Sequence, residues 1–320
     1  MLARSVLTSR DAVSLLGVVC GALLAIAMTA GVAFAQSTKT AGKAPSTGAK
    51  ATEGKHTLQY KLRAGESLYS KVIHFAETRT KMSDHEESSS SRTTSEKVWE
   101  VKSIDNKGNM TFEYRILSVD LAQRVGNKDE IKYSSEDDAT APDMFKKVAE
   151  TVNKPLGLIT INPRGQVTNR DNDTKNPQLG MGELTIPLPE EPIAVGAQWS
   201  VPREMRVKLE DGTQKTVKVR ELYTLEKVSA GVATIRIESQ PLTPVDDPAV
   251  ESQLIQQLSK GQIKFDIDSG RMLSKQLDWS EEAIGFRGDN TSLKYDARFT
   301  EELLTSPPKT ASKRTKVNVK

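Results

Sequence analysis

The chain contains three histidines, His56, His74 and His85, the side chains best suited to proton transfer or metal binding near neutral pH. His74 lies in Lys71-Val72-Ile73-His74-Phe75, and His85 in Asp84-His85-Glu86-Glu87, ahead of a run of four serines ending at Ser91. A metal centre would have to join His74 to Asp84, His85 and Glu86. No H-x-x-x-H or H-E-x-x-H spacing sets two of them on one helix face. The acidic, serine-rich stretch reads instead as the tip of a long hairpin, and no metal site is expected. Asp266-x-Asp268-Ser269-Gly270 opens like a calcium loop, but an EF-hand needs glycine in sixth place and glutamate in twelfth. Here glycine is fifth and Leu277 is twelfth, so a β-turn is expected.

Nucleophilic catalysis finds no better support. There is no G-x-S-x-G, and no histidine follows position 85, so a Ser-His-Asp arrangement would have to recruit His74 or His85. Glu190-Glu191 and Glu281-Glu282 are paired carboxylates, yet neighbours on a strand point to opposite faces and do not form a glycosidase pair. No P-loop, G-x-G-x-x-G or aromatic-plus-basic strand pattern of an RNA reader occurs. The expectation is a protein that is not an enzyme, with no catalytic, cofactor-binding or metal-ligating residue, no cofactor and no nucleic-acid partner. Trp99, Trp199 and Trp279 are spaced like core anchors, with ligand stacking as the alternative.

The elements that must carry these side chains are strands. Met110, Phe112, Tyr114 and Ile116 alternate with polar residues, as do Met205, Val207 and Leu209, and Leu293, Tyr295, Ala297 and Phe299. Period-two alternation means strands with one buried and one wet face, hence antiparallel sheet. Asn106-Lys107-Gly108, Asp211-Gly212 and Ser269-Gly270 supply turns. Only two segments read as helices. One opens at Thr140 and places Met144, Val148 and Val152 on one stripe. The other opens at Asp247 with Pro248 at its first position and aligns Val250, Leu254 and Leu258.

Three blocks recur in the same order. Ala64-Gly65-Glu66 to Ser70 resembles Val195-Gly196-Ala197 to Ser200. Trp99-Glu100-Val101 to Tyr114 resembles Tyr223-Thr224-Leu225 to Ile237. Leu158 to Val167 resembles Ile263 to Met272. The reading is an internal duplication: two similar β-rich units, 57–167 and 191–304, joined by 168–190. The fold class is α+β, mostly antiparallel β, as a half-barrel or long bent sheet with two helices packed on it.

The ends say where such a protein works. Arg4 and Arg10 precede an uncharged apolar stretch that closes at Ala33-Phe34-Ala35, a leader-peptidase site. Residues 1–35 are therefore expected to be a signal peptide, with a retained membrane anchor as the alternative. The single cysteine, Cys20, lies inside that stretch, so the remaining 285 residues can form no disulfide. Residues 36–56 read as a disordered linker and 305–320 as a disordered basic tail, the latter with five basic residues and no acid. The body between them carries a net −6. Composition, with 37% hydrophobic and 27% charged residues and a mean hydropathy of −0.47, excludes an integral membrane protein and a collagen. A protein of the periplasm or secreted from the cell is expected.

Pro189-Glu190-Glu191-Pro192-Ile193-Ala194-Val195-Gly196-Ala197-Gln198-Trp199 resembles the P-x-x-P-[IV]-x-V-G-x-x-W segment of a family of exported bacterial proteins of unknown function. Phe265-Asp266 to Gly270-Arg271 resembles its late F-D-x-x-x-G-R hairpin. The resemblance implies a strand-rich body and no catalytic residues. The architecture is also similar, at fold level, to the lipoprotein-carrier half-barrels of the bacterial envelope. The function expected is a non-catalytic envelope protein that holds an apolar or lipid-like ligand in a sheet groove. The alternatives are a scaffold without ligand and a hydrolase whose chemistry the sequence hides. The partners expected are an apolar ligand and, through the basic tails, an anionic envelope component.

Overall fold

The computed structural model of the chain describes residues 54–138, 140–171, 185–209 and 212–312. The signal region, most of the linker and the end of the basic tail lie outside these residues. In chain order the strands are β1 (Ser67–Met82), β2 (His85–Ile104), β3 (Met110–Val125), β4 (Ile131–Ser134), β5 (Pro155–Ile161) and β6 (Val167–Asp171). They continue with β7 (Gln198–Lys208), β8 (Gln214–Ser229), β9 (Val232–Pro241), β10 (Lys260–Asp266), β11 (Arg271–Ile284) and β12 (Thr291–Leu303). Three short helices accompany them, α1 (Lys146–Ala149), α2 (Pro248–Leu254) and α3 (Lys309–Ser312).

All twelve strands belong to one antiparallel sheet, ordered β6-β5-β3-β2-β1-β12-β11-β10-β9-β8-β7, with β4 pairing on β3. The two halves of the chain are joined by the long β1–β12 ladder, from Ser70 opposite Leu303 to Met82 opposite Thr291. The alternation read from the sequence is what buries the sheet's inner face. Met110, Phe112, Tyr114 and Ile116 are buried on β3, as are Leu293, Tyr295, Ala297 and Phe299 on β12.

The sheet is strongly rolled. Before β1 the chain crosses its inner face as a strap, residues 56–66. The Tyr60 amide donates to the Pro163 carbonyl at 2.7 Å, and the next amide, Lys61, donates to the Gly270 carbonyl at 3.0 Å. Pro163 lies in the β5–β6 hairpin and Gly270 in the β10–β11 hairpin. In a flat sheet β5 and β11 would stand five spacings apart, roughly 24 Å. Successive residues are only about 3.8 Å apart, so the roll must bring the two hairpins together. Helix α2 says the same on the other side, since it touches both β7 and β11.

Matching hydrogen bonds recur in the two halves. The Gly65 amide donates to the Val101 carbonyl and the Val101 amide to the Glu66 carbonyl, both at 2.8 Å. The Gly196 amide donates to Leu225 and the Leu225 amide to Ala197, at 2.7 and 3.0 Å. Bulges follow both contacts, between Val101 and Ser103 and between Leu225 and Lys227. In the two late hairpins a side-chain oxygen caps the turn. Asn162 Oδ1 accepts from the Arg164 and Gln166 amides, and Asp266 Oδ1 from those of Asp268 and Ser269. The Asp266 segment is thus a capped β-turn.

Gly165 and Gly270 close these turns at φ +77° and +62°. A Cβ at Gly165 would lie 2.5 Å from both the Ile186 carbonyl and the Tyr60 ring, and one at Gly270 the same distance from the Lys61 nitrogen. Glycine is required there twice over, for its backbone angle and for the strap that presses on it.

Several expectations need correction. The stripe Met144, Val148, Val152 does not form one helix. A 3-10 turn at Asp143–Phe145 leads into the single turn of α1, Met144 is exposed, and Phe145 and Val148 are buried. Beyond α1, Val152 bridges to Ile116 and the chain turns at Asn153, at φ +63°. Helix α2 keeps its signals: Asp247 accepts from the Ala249 amide, and Val250 and Leu254 are buried. Each of those burials is worth about 1.5–3 kcal/mol. The segment 168–190 is not a plain connector, because β6 occupies its start and Thr185, Ile186 and Leu188 are buried at its end. Residues 172–184 lie outside the described residues. The start of the basic tail also packs: Thr310 of α3 donates to Glu96 at 2.8 Å.

Candidate functional site

The inner face of the central strands carries the unexpected chemistry. Along β1 that face reads Leu68, Ser70, Val72, His74, Ala76 and Thr78, all buried, apolar and polar by turns. Register fixes their neighbours. Ser70 faces Lys97 on β2, His74 faces Phe299 on β12, and Glu301 of β12 faces Lys275 on β11. Lys97 Nζ meets Glu301 Oε1 at 2.7 Å, with side-chain exposures of 1% and 3%. Ser70 donates to the same carboxylate oxygen at 3.2 Å.

This polar row is electrostatically strained. Burial lowers the pKa of Lys97; the Glu301 carboxylate offsets that in part, and the Lys275 ammonium adds to it. Burial holds the Tyr114 phenol well above its ordinary value, with the Glu301 charge acting the same way. Tyr295 is pushed up to about 12 by burial. His74 is lowered by burial, so its neutral form is favoured.

Among the described residues, five buried polar atoms on this face have no hydrogen-bond partner: His74 Nε2, Thr78 Oγ1, Trp99 Nε1, Trp279 Nε1 and Glu301 Oε2. Leaving such a group unsatisfied costs about 1–3 kcal/mol, so five along one face is a heavy load. His74 sits between the Trp279 and Phe299 rings, at centroid distances of 6.3 and 6.4 Å. Among the described residues it holds no serine and no carboxylate in hydrogen-bond reach, so it forms no nucleophile–base pair with them.

At the strap end the face is roofed. Tyr60 packs edge-on against Phe265 at 5.3 Å, and its hydroxyl accepts from the Ile186 amide at 2.8 Å. Between strap and sheet lies a void of about 20 Å³, lined by Tyr60, Leu62, Leu68, Arg271, Glu301 and Leu303 among others. That is the room of roughly one water.

The other candidates are scattered. His56 forms a backbone bridge to Ile193, and His85 is exposed at the start of β2. Along β1, His74 stands eight residues from Met82, the partner of His85, or roughly 27 Å. Among the described residues no three His, Cys, Asp or Glu side chains come together as a metal site. Glu190 is an exposed partner of Arg164 at 2.6 Å. Trp99 and Trp279 are buried, whereas Trp199 is only partly so, stacked on Tyr223 at 5.3 Å with its indole N–H on the Pro187 carbonyl. Sequence reasoning passed over Lys97, Ser70, Thr78 and Glu301. Their signal was present, since each occupies the buried parity of its strand: Lys97 two before Trp99, and Glu301 two after Phe299.

Comparison with protein-family models finds no match, and comparison with curated proteins finds none. Among solved structures, one described as showing lipid–protein interactions in lipovitellin is similar over 78% of this chain and 26% of its own, at 10% identity and a TM-score of 0.38. The secretin of the Salmonella SPI-1 type III secretion injectisome, in its open gate state, is similar over 78% of this chain and 63% of its own, at 10% identity and a TM-score of 0.17. This chain spans about a quarter of the first and under two thirds of the second. Likenesses this distant carry no inference about function.

Proposed function

We propose that this chain is an exported, non-catalytic protein of the bacterial envelope that binds an amphipathic, mainly apolar ligand along the inner face of its rolled sheet. One observation carries the reading. His74 Nε2, Thr78 Oγ1 and Trp279 Nε1 are buried without partners beside Ala76, Ala297, Phe299 and Leu277. A purely structural core gains nothing from unsatisfied polar groups, and a ligand with a few polar atoms on an apolar body would satisfy them. Export rests on the Ala33-Phe34-Ala35 site. The recurrent hydrogen bonds at Gly65 and Gly196, and the two capped hairpins, support descent of both halves from one duplicated unit.

The test is Thr78→Val, which replaces an unpartnered hydroxyl by a methyl of equal size. The reading expects this variant to gain about 1 kcal/mol in stability and to bind a fluorescent long-chain alcohol more weakly than the parent. A gain in stability with no saturable binding in either protein would contradict it. That outcome belongs to the second reading, a scaffold without ligand, which the small void under the strap favours.

A further inference from the structure

We infer that the void under the strap is a site for a neutral hydroxyl group, the polar end of an aliphatic alcohol, held between Glu301 and Arg271. Both residues line the void. Glu301 spends one oxygen on Lys97 and Ser70 and leaves Oε2 buried without a partner. Arg271 spends Nη1 on Glu66 at 2.8 Å and leaves its Nε–H buried without a partner. A residue with an unused acceptor and a residue with an unused donor therefore both line a space the size of a single oxygen.

Charge selects what fits. An anion would meet the bare carboxylate oxygen of Glu301. A cation would meet the Arg271 guanidinium, with Lys275 further along the same strand and Lys97 on β2. A hydroxyl meets neither objection, because it donates to Glu301 Oε2 and accepts from Arg271 Nε. The remaining walls, Tyr60, Leu62, Leu68 and Leu303, suit the methylenes that follow. A chain longer than the void needs the strap to lift, which breaks the backbone hydrogen bonds at Tyr60 and Lys61 and the Lys61 Nζ bond to the Ile267 carbonyl, and uncovers Leu58, Tyr60 and Leu62. The apolar surface that the ligand buries must offset that exposure.

The inference deepens the ligand-binding reading by naming the ligand's polar end, and it fails separately. Hexanol, hexanoate and hexylammonium are titrated into the mature protein while the leucine methyl resonances are followed by NMR. Hexanol should shift Leu62, Leu68 and Leu303 saturably, and the two ions should not. Arg271→Lys keeps a cation for Glu66 but loses the Nε–H at that position, and should weaken hexanol binding about fivefold, the worth of one net hydrogen bond. Absence of a saturable hexanol response, equal responses to all three probes, or an unweakened Arg271→Lys would each overturn the proposal, and the first would leave the void to water alone. A long-chain alcohol that binds near His74 and Thr78 without moving Leu62 or Leu303 would overturn it while the broader reading stood.

Discussion

Lys97 and Glu301 meet at 2.7 Å across β1, the strand that separates theirs, and both are almost fully withdrawn from water. Withdrawing two charges is costly, and their attraction roughly repays it only while both are present. Glu301→Leu should therefore cost about 3–5 kcal/mol. Lys97→Met combined with Glu301→Leu should recover most of that loss. Urea unfolding of the single and double variants measures both, and a double variant as weak as the single would show that the pair does not act as a unit.

The tryptophans should separate by their indole N–H groups. Trp199 donates to the Pro187 carbonyl at 2.8 Å, whereas the Trp279 N–H has no partner. In ligand-free protein Trp199→Phe should cost about 1 kcal/mol more than Trp279→Phe in hydrogen bonding, although Trp279 is the more deeply buried. Thermal unfolding of the two variants decides this.

His74 should make stability depend on acidity. Its folded pKa lies below the ordinary 6.5 because burial disfavours the imidazolium. The stabilisation is complete above about pH 6.5 and is lost as the pH falls below it, because the unfolded chain takes up the proton first. Between about pH 7 and pH 5 the parent should lose stability more steeply than His74→Leu. Parallel slopes would show that His74 is not the group responsible.

The basic tail should divide at Ser312. Thr310 is bonded to Glu96, so ending the chain after Leu304 should cost about 1 kcal/mol. Ending it after Ser312 removes Lys313, Arg314, Lys316 and Lys320 and should leave the melting temperature unchanged. If those residues hold anionic envelope material, retention on anionic vesicles should fall with salt and vanish in the shorter chain.

The strands were legible because alternation is a local pattern, and Leu293 to Phe299 or Met110 to Ile116 reads the same in sequence and in space. Helix α2 was legible for the same reason, with its cap at Asp247 and proline at Pro248. The strap was not, because Tyr60 and Lys61 are held by Pro163 and Gly270, about a hundred and about two hundred residues away, and no local pattern records such contacts. The first helix was overread because Met144, Val148 and Val152 fit a stripe that the turn at Asn153 cuts short. The polar row was the instructive miss. Lys97, Ser70, Thr78 and Glu301 look like ordinary members of polar strands until the parity of each strand is carried through them.

The central claim is that the inner face holds a ligand. Native mass spectrometry of the protein, purified without detergent from the cells that make it, tests this most directly. The account predicts a second mass above the bare chain that organic extraction removes and that yields a neutral, hydroxyl-bearing aliphatic compound. A single mass equal to the bare polypeptide, with nothing extractable and no rebinding of long-chain alcohol, would contradict it.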